Sequence, residues 1–456
     1  MTKRNIKLKN LFTHTFTKLL QTAGLKISSA VLMLAFTLLI ARNYSLVDSG
    51  LILYFISLIL LGAIIGTFGL GIEVTRQSAL LDTNKPDARL ALLFKILCIP
   101  VFLYILAFLL LSSTEYLIPN SSKSMPLYLV LSSACLLSIN KFICAILQGL
   151  GDLKKSILLD QILWILLSSF AAVLASIFFD NPDIVIFELI SSCIAISVFI
   201  TIFIFLIKLT RLLELNILSI IKLVLKEISF SQSDIKLLAR GFWLSILMAL
   251  TPFLTNFISG LLLLNGEDGD LAIFQVSGKL VAMIALMPVV FNYVFTPEIS
   301  KHFVDKNQSR LTDLYVTSRN TVFLLTIPVM LFLIIYASEV MSLFGSSYIN
   351  GNKVIAILLL GQLVSAYFGS TVTFLVLSNK AKWASISGII AMGISIIIYY
   401  IFEWLGGKIE EVFLIVIFQF FWNWFCCIGV KHTLKIKVFY LPSARDAWRQ
   451  ICSIIV

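Results

Sequence analysis

Long apolar runs separated by short polar breaks set the pattern of this chain. Runs of a length that crosses a hydrocarbon core of ~30 Å lie near 22–42, 50–72, 90–112, 126–148, 157–179 and 185–208. After a longer polar break come 240–264, 271–296, 318–338, 354–377, 384–402 and 409–430. The pattern predicts an all-α integral membrane protein with twelve transmembrane helices in two sets of six. The chain then divides into an N-terminal six-helix lobe over 1–208, a cytoplasmic linker over 209–235, a C-terminal six-helix lobe over 236–432 and a tail over 433–456. In the linker Leu213, Ile217, Ile220, Ile221 and Leu225 recur at helical spacing between Arg211, Lys222 and Lys226, as in an amphipathic helix lying on a membrane surface. Ser231-Gln232-Ser233-Asp234 matches a capping box opening the next helix. The tail, with Trp448, Ile451, Ile454 and Ile455, reads either as a second surface helix or as disorder.

Composition supports the membrane assignment and narrows the chemistry. The chain is 59% hydrophobic and 13% charged, with a mean hydropathy of +1.00. A soluble core could not hide that much apolar surface. No cleavable signal is evident, because the first run leads directly into further spans. With the N-terminus taken as cytoplasmic, 27 of the 35 Lys and Arg fall on that side and four on the other: Arg42, Lys123, Lys353 and Lys408. The positive-inside rule then puts both termini in the cytoplasm, and a bacterial inner membrane is the expected location. Charges spread over short loops make no nucleic-acid surface. The seven cysteines and three histidines offer no metal-ligand spacing, so neither a metal nor another cofactor is expected, and no catalytic residues are assigned.

Four lysines lie inside spans: Lys26, Lys95, Lys141 and Lys279. Lys26 and Lys95 sit near cytoplasmic span ends, where a lysine stem snorkels to water. Lys141 and Lys279 are roughly 12–13 Å inside at ~1.5 Å per residue, so each faces either a polar interior or an internal ion pair. Ser133, Asn140, Lys141 and Gln148 share one face of the fourth span. In the eighth, Gln275 and Lys279 are one turn apart. Pro252, Thr255, Asn256 and Ser259 line one side of the seventh, where Pro252 can kink or open the helix. Gln362, Ser365, Gly369 and Thr373 do the same in the tenth. Stripes in both halves favour a shared cationic cavity, in which Lys141, Lys279, Asn140, Gln275, Asn256 and Gln362 contact an anionic substrate. The acidic candidates, Asp160 and Glu188, are shallower and would serve ion coupling. Glu73 and Glu298 end helices or pair with Arg76 and Lys301.

Other features read as structure. Gly62 and Gly66 form a G-x-x-x-G that points to close helix packing. GLGDLKKS (149–156) lacks phosphate-loop spacing. The basic turns LQGLGDLKKS (147–156) and LSNKAKWAS (377–385) occupy the same place in each set of six, as do GIEVTRQ (71–77) and TPEISKH (296–302). These pairings indicate parallel repeats related by an axis along the membrane normal.

FQVSGKLVAMIALMPVVFNYVFTPEISKHF (274–303), FGLGIEVTRQSALL (68–81), the LQGLGDLKKS turn and LLLGQLVSAYFGSTVTFLVLSNKAKWASISGII (358–390) carry a resemblance. With the twelve spans, they resemble the polysaccharide-synthesis branch of the multidrug/oligosaccharidyl-lipid/polysaccharide exporter superfamily, in particular Wzx-type O-antigen flippases. The resemblance implies two lobes in a V around a central cavity, working by alternating access. It also implies an undecaprenyl-diphosphate-linked oligosaccharide as substrate, membrane lipids around its trailing tail, and other polysaccharide-assembly proteins as partners. A multidrug or cation antiporter of the same superfamily is the alternative, although the first span lacks the acid a cationic substrate needs. A peptidoglycan-precursor flippase usually has fourteen spans in that family. A membrane glycosyltransferase or polymerase would need clustered carboxylates and a larger outer loop.

Overall fold

The computed structural model describes residues 24–79, 86–111, 126–178, 183–213, 232–267, 269–305, 308–406 and 410–434. These residues form helices and no strand. The first seven helices are α1 (Gly24–Asn43), α2 (Leu46–Gly66), α3 (Gly71–Ser78), α4 (Pro86–Leu111), α5 (Leu127–Gly149), α6 (Leu153–Phe178) and α7 (Asp183–Leu213). After them come α8 (Gln232–Asn265), α9 (Asp270–Val304), α10 (Gln308–Ile335), α11 (Ala337–Ser342), α12 (Asn352–Phe368), α13 (Thr371–Leu377), α14 (Ala381–Trp404) and α15 (Phe413–Leu434). Ten segments among the described residues are long and apolar enough to cross a membrane. With α4 and α9 they match the twelve predicted spans in order, and the chain is a multi-pass membrane protein. The predicted linker helix and the tail helix lie outside the described residues, apart from Leu213 at the end of α7 and the last residues of α15.

Contacts divide the chain into two compact units, one of Met1–Leu39 with Leu58–Gly241 and one of Ile40–Ser57 with Phe242–Val456. Sequence order alone would leave 40–57 with the first six spans; its contacts lie with the second set.

In the first unit α5 is the central helix, packing against α3, α4, α6 and α7. The second half of α2 meets it closely. A Cβ on Gly62 would stand 2.7 Å from Ala134, and one on Gly66 2.3 Å from the Ser138 hydroxyl. Ser138 also donates to the Ala63 carbonyl at 3.3 Å. The G-x-x-x-G is therefore a packing groove, as its spacing indicates. Leu147, Phe142 and Val74 sit in the apolar core between α3 and α5.

In the second unit α15 packs against α12, α13 and α14, and α9 against α10 and α12. The first half of α2 is pinned here. Ser45 caps its N-terminus by accepting from the Asp48 amide at 3.2 Å. Gly50 lies flat on Ala272 of α9, where a Cβ would come within 2.9 Å of backbone. Tyr315, Phe374 and Leu375 centre the core where α10, α13 and α15 meet.

The predicted repeat has a geometric counterpart. At the end of α5 Gly151 has φ +85, and Asp152 N–H bonds back to Leu147 O while Gly151 N–H bonds to Gln148 O. At the end of α13 Asn379 has φ +59, with Lys380 N–H on Leu375 O and Asn379 N–H on Val376 O. Both turns are the same left-handed helix cap with a 6→1 hydrogen bond. Asn tolerates that conformation where Gly would be freer.

Two predicted features differ. Pro252 leaves α8 helical from Gln232 to Asn265, whereas the tenth span is broken between Phe368 and Thr371, at Gly369 with φ +71. The second span ends earlier than predicted, at Gly66, because Phe68 and Gly69 both take positive φ.

Gly66→Ala should lower the midpoint of thermal unfolding in detergent, since overpacking costs ~1–3 kcal/mol. Gly393→Ala, in open space on α14, should leave it unchanged or raise it, because Ala is the better helix former.

Candidate functional site

In the first unit the polar side chains gather where α5 faces the start of α6. There α6 contains a π-helical turn, Leu158–Ile162. Such a turn holds one residue more than the α repeat and exposes a carbonyl. Asn140 of α5 donates to that carbonyl, Leu159 O, at 3.1 Å. Ser156 donates to Cys144 O at 2.8 Å. Gln161 accepts from Ser29 of α1 at 3.0 Å. Lys141 lies 3.5 Å from Asp160 on the same turn, with both side chains part-exposed. Of the two readings open for Lys141, the structure gives the internal ion pair. Asp160 is accordingly the partner of Lys141 and stands apart from Glu188, which is exposed on α7.

In the second unit Asn256 and Gln275 come together, and their partners are mainly each other's neighbours. Ser57 of α2 donates to Asn256 Oδ1 at 2.7 Å, Asn256 Nδ2 donates to Pro252 O at 2.8 Å, and Gln275 Nε2 donates to Ser259 Oγ at 2.9 Å. Asn256 is 6% exposed and Gln275 3%. Both cross-link α2, α8 and α9. Lys279 is one turn from Gln275, part-buried, and makes no hydrogen bond or ion pair among the described residues.

Gln362 lines a cavity of about 280 Å³ beside the break in the tenth span, with Ser365, Thr373, Gln419, Trp422 and Asn423. The break is held from behind. Tyr315 of α10 donates to Phe368 O at 2.6 Å, a carbonyl that ends α12. A Cβ on Gly369 would fall 2.7 Å from the Arg319 stem, so only glycine lets the two backbones approach this closely. Arg319 is 2% exposed within α10. It belongs with the embedded cations, not the cytoplasmic loop in which its sequence neighbours place it. The Phe-Gly-Ser run at 368–370 was the available signal for the break; Arg319 gave none, because the preceding polar stretch hides how far α10 extends.

Elsewhere Glu73 pairs with Arg76 at 3.7 Å and accepts from Gln77, which absorbs it structurally. The side chain of Glu298 lies outside the described residues. Among the described residues no group of three or more His, Cys, Asp or Glu could hold a metal.

No protein-family model matches the chain, and no curated protein matches it. Solved structures do match in fold. An inward-facing conformation of a multidrug resistance MATE family transporter of the MOP superfamily aligns at TM-score 0.63 and 13% identity, covering 94% of this chain and 95% of that one. An outward-facing conformation of such a transporter gives 0.62 and 14%, covering 91% and 95%. A MOP superfamily transporter from Pyrococcus furiosus, reported with a reversed polarity of its binding pocket, gives 0.62 and 14%, again covering 91% and 95%. The chain has the MATE-like fold of these transporters.

Replacing Asp160 with Leu strands the Lys141 charge, and removing one member of an ion pair costs more than removing both. Asp160→Leu should lower the unfolding midpoint, and Lys141→Met on that background should restore it. A double variant no more stable than Asp160→Leu would show that the two charges are uncoupled.

Proposed function

We propose that this chain is an alternating-access transporter of an anionic lipid-linked substrate, moving an undecaprenyl-diphosphate-linked oligosaccharide from the cytoplasmic to the outer leaflet of a bacterial inner membrane. Lys279 carries the reading. It is an ammonium deep in an apolar helix, with no acid or acceptor beside it among the described residues. An embedded cation of this kind is costly unless a partner or water meets it, and a diphosphate passing through supplies a mobile partner. In the first unit Asp160 is already met by Lys141, and Arg319 adds further positive charge within α10. The balance of embedded charge suits phosphate better than a cationic drug. Pocket polarity within this fold is a known variable: for the Pyrococcus furiosus neighbour a reversed polarity has been taken to suggest a different function. Both termini would face the cytoplasm by the distribution of Lys and Arg, and the lipid tail would stay in the bilayer.

The second reading, a multidrug or cation antiporter, is favoured by the multidrug transporters among the structural neighbours. The two readings separate in reconstituted vesicles. Wild type should move a diphosphate-linked oligosaccharide lipid to the opposite leaflet. Lys279→Ala should slow this about tenfold or more, in line with ~1.5–3 kcal/mol for a hydrogen bond to a charged group, and Lys279→Arg should retain part of the rate. Export of cationic dyes without movement of the lipid would overturn the proposal in favour of the antiporter. Full lipid movement in Lys279→Ala would remove the role given to this residue.

A further inference from the structure

The cavity of the second unit is lined by the wrong chemistry for a phosphate. Its lining has three carboxamides, from Gln362, Gln419 and Asn423, and hydroxyls from residues that include Ser365 and Thr373. Among the described residues it has one indole, Trp422, and no charged side chain. Asn423 is committed: its Nδ2 donates to Gln419 O at 2.8 Å and to Ser365 Oγ at 3.3 Å. Gln419 is not. It is a residue only 6% exposed; its Oε1 is buried over Gly361 without a hydrogen-bond partner among the described residues, which leaves its amide N–H groups for the cavity that the side chain lines. The Gln362 carboxamide, facing the same space from α12, also makes no hydrogen bond among the described residues.

A buried amide oxygen left without a donor is a standing cost, and natural structures seldom keep one without a reason. Packing alone would be served as well by Leu or Met at position 419. Together the two amides present donors, and Gln362 an acceptor as well, a combination that neither an anion nor a dehydrated cation requires. A group rich in hydroxyls requires both. The size agrees. At ~30 Å³ per water the space holds roughly nine waters, too much for a bare ion and just below the ~300–1,000 Å³ of drug-sized pockets. The indole adds the apolar face on which a sugar ring's C–H groups can rest.

We propose that this cavity is a subsite for one uncharged sugar residue, with Gln419 and Gln362 bonding its hydroxyl or acetamido groups. The proposal deepens the transport reading and rests on it: Lys279 would meet the diphosphate and this cavity a sugar of the attached oligosaccharide. It also fits the break at Gly369–Ser370, which opens the backbone on one side of the cavity while Tyr315 and Arg319 hold the other.

The test uses the purified full-length protein and small probes. Methyl glycosides of common hexoses and N-acetylhexosamines, sodium and rubidium chloride, and inorganic pyrophosphate would be titrated while thermal unfolding and saturation-transfer NMR are followed. At least one glycoside should give a saturable upward shift in unfolding temperature and direct ring-proton transfer. Gln419→Leu should unfold at the wild-type temperature or higher without sugar, yet bind the glycoside about tenfold more weakly, the loss expected of one neutral hydrogen bond near 1.4 kcal/mol. Gln362→Leu gives an independent second reading should Gln419→Leu fail to fold. No saturable response to any glycoside up to about 100 mM, far above a millimolar site, would overturn the proposal. A response to sodium or rubidium alone would overturn it in favour of a cation site, and unchanged glycoside affinity in both variants would do so too. Lipid movement with no glycoside binding would leave the transport reading standing and remove the subsite. Glycoside binding without lipid movement would do the reverse.

Discussion

The Ser57 hydroxyl is the smallest group on which much of this structure depends. It sits on the apolar helix α2, where a bilayer core offers no water to satisfy it. It donates to Asn256 Oδ1 at 2.7 Å, with Tyr54 O of its own helix a second acceptor at 2.9 Å, and accepts from the Gln275 amide at 3.5 Å. Gln275 donates in turn to Ser259, whose hydroxyl donates to Thr255 O at 2.9 Å. Donors branch from the Gln275 amide, one arm through Ser57 to Asn256 and the other through Ser259 to Thr255 O, and the bonds along each arm polarise one another. Interhelical hydrogen bonds in membranes average only ~0.6 kcal/mol, and the network's role is choice of partner more than strength. It fixes which face of α2 meets α8 and α9, and Gly50 against Ala272 closes the remaining gap. Residues 40–57 belong to the second unit for this reason.

Charge is handled differently in the two units. The first neutralises Lys141 with Asp160 across a π-helical turn. The second leaves Lys279 without a counter-charge among the described residues and buries Arg319 against a broken helix. The shared cap geometry gives the registers of the two halves. The alignment that puts Asn379 opposite Gly151 also puts Gly369 opposite Lys141. One repeat thus has a paired cation where the other has the helix break.

Much of the fold was legible because lipid imposes a simple rule: apolar length maps onto spans, and ten predicted spans followed it among the described residues, with α4 and α9 helical at the other two. The G-x-x-x-G and the repeated basic turns were legible because close packing and left-handed caps demand particular residues. What stayed hidden were choices among partners. Asn256 and Gln275 carry the same polar signature whether they face a substrate or Ser57, and nothing local distinguishes the two. Lys141 and Lys279 are likewise equivalent by depth, yet only one has an acid across from it. Asp160 is 19 residues from Lys141 in the chain, and the π-helical turn that presents it has no sequence mark. Arg319 gave no such mark: it stands at the start of the predicted span 318–338, while the helix begins at Gln308 and buries the side chain.

The pinning of α2 also bears on how the protein is made. Ser57 and Asn256 are separated by 199 residues. At ~5–20 residues per second the ribosome needs roughly 10–40 s to span that distance. During this interval the first half of α2 is already in the membrane with the Ser57 hydroxyl able to turn only to Tyr54 O of its own helix, while its second half can pack on α5 almost at once. The first unit can therefore assemble early, while the first half of α2 stays undocked until α8 and α9 arrive. An insertase or chaperone that shields polar faces within the bilayer would meet this chain at that stage, and the stretch it would hold is Ile40 to Ser57.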